Sequence, residues 1–204
     1  MMSNSIKYWV YGTLPAALLL MGLLPAVRSA WSAPIILVYL QLPIYMLHQV
    51  EEHTSDRFLR FVNQTIGHGK EIITLTEIFW INVPGVWGLN LLSFLLAYTF
   101  HLGLGLISIY LCLFNALTHL IFSIVQKQYN PGLLTALFLF LPISTVSLMS
   151  MTHRPEVNLS FHILGIGLAI LIQVYLIIYF RRKLLKIGLP KAQMKIAGIQ
   201  ESDL

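Results

Sequence analysis

The sequence predicts an all-α protein: a polytopic helical bundle of about six membrane-spanning segments, forming one domain over residues 1–204. Three observations carry this. The chain is 57% hydrophobic and only 10% charged, with a mean hydropathy of +0.76, whereas a soluble domain is about 25% charged. Its apolar residues gather in runs of about 20, the length an α-helix needs to cross the hydrocarbon of a bilayer. Its basic residues cluster beside those runs, as the positive-inside bias requires.

The first run covers residues 8–27. Lys7 ahead of it gives the outline of a signal peptide. The best cleavage candidate, Ala30-Trp31-Ser32, has Arg28 just upstream, so a retained first helix is expected. The second run covers residues 34–52. After it, residues 55–76 interleave charge with Phe58, Leu59, Phe61 and Val62, a pattern suited to a short helix lying in the membrane interface. The third run, 78–98, contains Pro84-Gly85 and should kink there. The fourth covers 102–125. The fifth covers 131–151, with Pro131 at a first-turn position. The sixth covers 158–180. No internal repeat or long linker divides the chain.

Six spans put both termini on one side. Of the 13 Lys and Arg, only Arg28 and Arg154 fall on the other. Lys7, Arg57, Arg60, Lys70, Lys127, Arg181, Arg182, Lys183, Lys186, Lys191 and Lys195 share the side of the termini, which should be cytoplasmic. Residues 181–186, Arg-Arg-Lys-Leu-Leu-Lys, also suit an anionic lipid surface. The net charge of +5 is therefore read as a membrane signal, with no nucleic-acid partner expected. A single cysteine, Cys112, excludes an intrachain disulfide and a cysteine-based zinc site. Trp9, Trp31, Trp80, Tyr98 and Tyr179 fall at run ends, as an interfacial aromatic belt does.

The second run ends in His48-Gln49-Val50-Glu51-Glu52-His53. On a helix, His48, Glu51 and Glu52 share one face, while His53 lies about 140° round from His48. Two adjacent carboxylates near hydrocarbon repel each other, and a helix C-terminus disfavours them further. A cation would offset all three penalties. The plain alternative is that both glutamates reach water. The fourth run carries Asn115 and His119, four residues apart on one face, with His119 about 9 Å inside the end of the helix. A histidine there needs a polar partner: a neighbouring hydroxyl or carbonyl, or the cluster of the second run. The fifth run begins on the same side, where the hydroxyls of Tyr129 and Thr135 can donate to that cluster. Asn130-Pro131-Gly132 reads as ordinary turn chemistry. Glu77 opens the third run on that side too. Asn82 and Asn90 are expected to hydrogen-bond between helices. His101, His153 and His162 fall on the opposite side as interfacial residues, and His68 lies in the loop.

These residues carry a resemblance. His48-Gln49-Val50-Glu51-Glu52 resembles the signature of the HXXEE-domain family of integral membrane proteins. Asn115 and His119 resemble its N-x-x-x-H element. Tyr129, Pro131, Gly132 and Thr135 resemble its Y-x-P-G-x-x-T element. The resemblance runs from about Pro34 into the sixth run and leaves the first unmatched. It implies a bacterial-type protein of the cytoplasmic membrane whose polar centre, potentially enzymatic, draws on these nine positions. It brings no settled substrate or reaction.

Three functions fit. The first is a metal-dependent membrane enzyme acting on a lipid or another amphiphile. His48, His119 and Glu52 would hold zinc with an open position, or non-haem iron as a two-His-one-carboxylate set. Metal identity would decide between a hydrolase and an oxidoreductase. Glu51 would be the general base, with the two glutamates interchangeable by spacing. Asn115 or Tyr129 would orient ligands or donate to an oxyanion. His53 and Glu77 could complete a second metal site. The motif is not the H-E-x-x-H of zinc proteases, because position 52 is Glu. The second is a proton- or ion-linked transporter, for which the outer half offers only Gln41, Ser108 and Tyr110 as polar steps. The third is a non-catalytic partner with a structural clamp, in which Glu51 or Glu52 pairs with Arg57 or Arg60 and His119 with Tyr129. That reading requires a closed site without a cavity.

Overall fold

The computed structural model describes residues 4–186, so Lys191 and Lys195 of the basic tail lie outside the described residues. The helices are α1 (Asn4–Gly22), α2 (Leu24–Val27), α3 (Ala33–His53), α4 (Arg57–Phe61), α5 (Leu75–Trp80), α6 (Gly88–Thr99), α7 (Leu106–Gln126), α8 (Leu133–Thr135), α9 (Leu141–Thr152) and α10 (Leu159–Lys186). No strand occurs among the described residues. They assemble into six stretches long and apolar enough to cross a membrane: Tyr8–Val27, Ala33–Ile66, Leu75–Thr99, Leu102–Gln126, Leu133–Thr152 and Leu159–Lys186.

The expected kink at Pro84 takes a particular form. A proline removes one backbone donor and pushes on the preceding turn. The helix absorbs this as a widened π-helical turn over Ile81–Trp87, joining α5 to α6. A second such turn, Ala136–Phe140, joins α8 to α9 just ahead of Pro142. Such turns rotate side chains out of register, and they recur at functional sites. Here the first carries Asn82 and Trp87, and the second carries Phe140.

Three apolar clusters stack along the bundle. Val38, Leu106, Ile109 and Met151 fill the end away from the termini. Ile44, Tyr45, Leu111, Cys112 and Phe140 fill the middle. Val62, Ile72, Ile73, Ile78 and Leu184 close the end that carries Arg57, Arg60 and Lys183, called here the basic end. Together α1 and α3 pack along each other, and α3 also meets α6, α7 and α9. Helix α10 packs principally on α7. The two approach closely because residue 165 is glycine: a Cβ there would lie 2.7 Å from the Tyr110 ring and 3.0 Å from the Leu106 carbonyl oxygen.

Several expectations need correction. The segment after α3 is helical, but Val62, Ile72 and Ile73 are buried against protein instead of resting on lipid. Burying one such side chain is worth about 1.5–3 kcal/mol, enough to anchor the segment to the bundle. Pro131 does not open a helix; it sits in a turn, and α8 starts at Leu133. Helix α10 runs six residues past the expected end, because Leu184 is buried and Lys183 bonds Glu77. Asn82 accepts a bond from Gln49 across helices, as expected, at 2.8 Å. Asn90 instead donates within its own helix, to the carbonyl of Val86.

Candidate metal centre

Helix α3 ends abruptly after His53, because Ser55 and Asp56 both adopt left-handed backbone angles. This turn holds the last α3 residues against the bundle instead of letting them run into water. His48, Gln49, Glu52 and His53 are all buried. Gln49 is held on its other side by the Trp87 indole, which donates to its Oε1 at 2.5 Å. The π-helical turn bearing Asn82 and Trp87 thereby fixes the rotation of α3.

His48, Glu52 and His119 each offer one ligand atom, and these atoms lie within 4.8 Å of one another. Glu52 Oε2 is 3.5 Å from His48 Nε2, and Glu52 Oε1 is 3.7 Å from His119 Nε2. His53 Nε2 lies 3.1 Å from Glu52 Oε2, outside the alignment of a hydrogen bond. Phe140 packs on the His48 ring with centroids 4.5 Å apart.

Hydrogen-bond logic assigns the protons. Glu51 accepts from the Tyr129 hydroxyl (2.7 Å), the Leu134 amide (3.2 Å), the Thr135 amide (2.7 Å) and the Thr135 hydroxyl (2.5 Å). With its single proton given to Glu51, the Thr135 hydroxyl can only accept from His48 Nδ1, 2.9 Å away. His48 therefore carries its proton on Nδ1 and turns the Nε2 lone pair toward Glu52. The same holds for His119. Asn130 donates its amide to the His119 carbonyl at 2.9 Å, so its Oδ1 accepts from His119 Nδ1 at 2.5 Å. The His119 Nε2 lone pair then also faces Glu52. Both imidazoles present the acceptor nitrogen inward and are held from behind, the arrangement that outer partners impose on metal-binding histidines.

Gly132 makes the convergence feasible. Its φ of +96° is one that side chains rarely adopt, and a Cβ there would lie 2.6 Å from His48 Cε1 and 2.8 Å from His119 Cε1. Both rings close on the bare backbone of this residue. The stretch from Tyr129 to Thr135 is thus a strap. Tyr129 holds Glu51, Asn130 holds His119, Gly132 seats both rings, and Thr135 joins Glu51 to His48.

The sequence-derived candidates therefore separate. His48, Glu52 and His119 come together. Asn115 joins them, its amide 3.2 Å from His48 Nε2. His53 touches Glu52 from the other side. Glu51 stands behind His48 with its carboxylate taken up by four hydrogen bonds, away from the general-base position expected of it. Tyr129 is bound to Glu51 and does not reach the imidazoles' inner face. Glu77 lies elsewhere: it caps α5 through Thr74 and bonds Tyr179 and Lys183. The pairings of the glutamates with Arg57 or Arg60, and of His119 with Tyr129, are replaced by these contacts. Asn130, which the sequence offers only as a turn former, is part of the site. An asparagine before Pro-Gly gives no sign in sequence that its amide will return onto a histidine eleven residues earlier.

Two apolar clefts reach this centre. One, about 690 Å³, is walled by α3, α5, the π-helical turn and α10; the other, about 430 Å³, by α4, α7 and α10. Glu52 lines both.

Comparison with known proteins finds no match among curated proteins and none among solved structures. A family sequence model, described as a protein of unknown function with HXXEE motif, matches residues 39–147. That stretch is more than half of the chain and holds every group of the centre, from His48 to Thr135, so the protein belongs to the HXXEE family.

Proposed function

We propose that this protein is a metal-dependent enzyme of the membrane, acting on a lipid or another amphiphile at a centre formed by His48, His119 and Glu52. One observation carries the reading. Two imidazole acceptor nitrogens and a carboxylate converge in a buried pocket where the Asn115 amide meets one of them, and a cation would satisfy all three at once. The donor set fits zinc with an open position and equally non-haem iron. A metal held there would supply Lewis acidity or, for iron, oxygen chemistry, and its identity separates hydrolase from oxidoreductase.

The chain's own groups take distinct parts. Glu51 acts through Thr135 to fix the His48 tautomer. Asn115 caps the His48 lone pair with its amide, and a turn of that side chain would aim the same amide at a charge developing on substrate. His53 stands beside Glu52, in the place a general base would occupy. Tyr129 is a holder of Glu51. Cytoplasmic termini, in a bacterial cytoplasmic membrane, accord with the basic residues at the end where the centre lies.

The clefts favour the enzyme over the clamp, which needs a closed site. The transporter is disfavoured because its polar steps are already engaged: Gln41 with Ser147, the Ser108 hydroxyl with the Gly105 carbonyl, Tyr110 with His162.

The test is the metal content of the purified protein in mild detergent, measured by elemental mass spectrometry. Near-stoichiometric zinc or iron, lost in both His48→Ala and His119→Ala variants that still fold, is expected. No bound metal after metal-replete growth would refute the proposal.

A further inference from the structure

The two clefts differ in depth, and this bears on substrate class. The larger extends from Glu52 toward Leu89, Leu111 and Leu171, at the level of the middle apolar cluster. The smaller extends from Glu52 toward Phe61, Phe122 and Leu184, at the basic end. Both share a wall of Glu52, Phe58, Asn115, Gln173, Leu176 and Phe180. On α10, Gln173, Leu176 and Phe180 form one stripe facing the bundle. Helix α10 is fastened at one end by its packing on α7 around Gly165 and at the other by Lys183 and Tyr179 on Glu77. Between these anchors, past Ala169 and Ile172, the clefts open along its bundle-facing side. Each has the size of a small-molecule site, about 300–1,000 Å³. The polar groups of the shared wall, Glu52, Asn115 and Gln173, lie where the two apolar arms meet.

We infer that the ligand is a two-armed lipid, with a polar linkage at Glu52 and Asn115, one acyl chain in the mid-depth cleft and its other apolar arm in the cleft at the basic end. This rests on the proposed centre for the role of Glu52, while the binding itself needs no metal. A single-chain amphiphile would fill one arm only. A two-chain phospholipid has the required form, since each acyl ester lies between its own chain and the glycerol that carries the other chain.

The experiment uses the full chain in nanodiscs and a diacyl phosphatidylethanolamine bearing a diazirine at the end of one chain, with cross-linked residues mapped by peptide mass spectrometry. Label is expected at Leu89 or Leu111 and at Phe122. It should fall by about tenfold or more in Gln173→Trp, the scale of blocking an apolar pocket. Leu176→Phe gives a milder block should the first variant fail to fold. Ile170→Trp, on an exposed face of α10, should leave the label unchanged. Label confined to outward residues such as Leu92, Leu95 and Phe138 would overturn the inference, as would equal competition by single-chain lysophospholipid. Running the samples with chelator and with zinc, with metal measured on each, keeps the outcome separate from that of the proposed centre.

Discussion

Gly132 concentrates the chemistry of the centre in one missing side chain. A methyl group there must displace two histidine rings and also adopt a strained backbone angle, which costs about 1–3 kcal/mol by itself. Gly132→Ala should lose bound metal and melt at lower temperature, as elemental analysis and a thermal melt of the detergent-solubilised protein would report. Thr135→Val removes only the hydroxyl that joins Glu51 to His48. The fold should persist while metal affinity falls about 10–100-fold, the usual effect of losing an outer partner of a ligating histidine; competition with a calibrated chelator reads it. Tyr129, in the turn before α8, offers a test by pH. Burial, then the hydrogen bond to Glu51, raises its phenol to about 12 from an ordinary 10. The folded state thus holds this proton more tightly than the unfolded one. The stability it contributes is complete below pH 10 and is lost as pH rises toward 12. The melting-temperature gap between wild type and Tyr129→Phe should narrow across that window. A constant gap would mean that the bond to Glu51 is not what Tyr129 contributes. At this scale the sequence was informative about which side chains share a face and poor about their partners. Spacing alone placed His48 and Glu52 on one face, but it could not say that Glu51 would be saturated by the strap or that Asn130 would grip His119. Those contacts depend on where the chain returns after α7.

Among the elements, the helix runs were the most legible part, because twenty apolar residues leave few alternatives in a bilayer. Pro84 announced a disturbance, and only the structure shows that it is absorbed by a widened turn aiming Asn82 and Trp87 at Gln49. The length of α10 exceeds what the sequence predicts for a related reason. Arg181, Arg182 and Lys183 read as the end of a span, yet Leu184 beyond them is buried in the cluster with Ile72 and Ile73. The fastening of α10 to Glu77 is partly exposed, and ion pairs in such settings are worth about 0–1 kcal/mol. Glu77→Gln should therefore leave the melting temperature nearly unchanged. It should speed amide hydrogen exchange in residues 176–186, where few other contacts resist opening. Unchanged exchange there would show that the apolar packing of Phe180, Leu184 and Leu185 secures the end of α10.

For the whole molecule, the placement of charge gives the clearest forecast. With Cys112 replaced by Ala, single cysteines at Lys70 or Lys127 should react with an impermeant maleimide only after cells are opened, and a cysteine at Glu156 should react in intact cells. The reverse pattern would invert the topology. The helical bundle was readable from composition, and the gap beside α10 was not, since a stripe such as Gln173, Leu176 and Phe180 looks the same in sequence whether it packs on protein or stands away from it. That gap has a kinetic consequence. On the proposed function, a centre reached sideways, between helices, would take its substrate from the plane of the bilayer and not from bulk solution. Turnover should then follow the mole fraction of substrate among the lipids: diluting the membrane with an inert lipid slows the reaction at constant total substrate, while diluting the vesicles with buffer leaves the rate per protein unchanged.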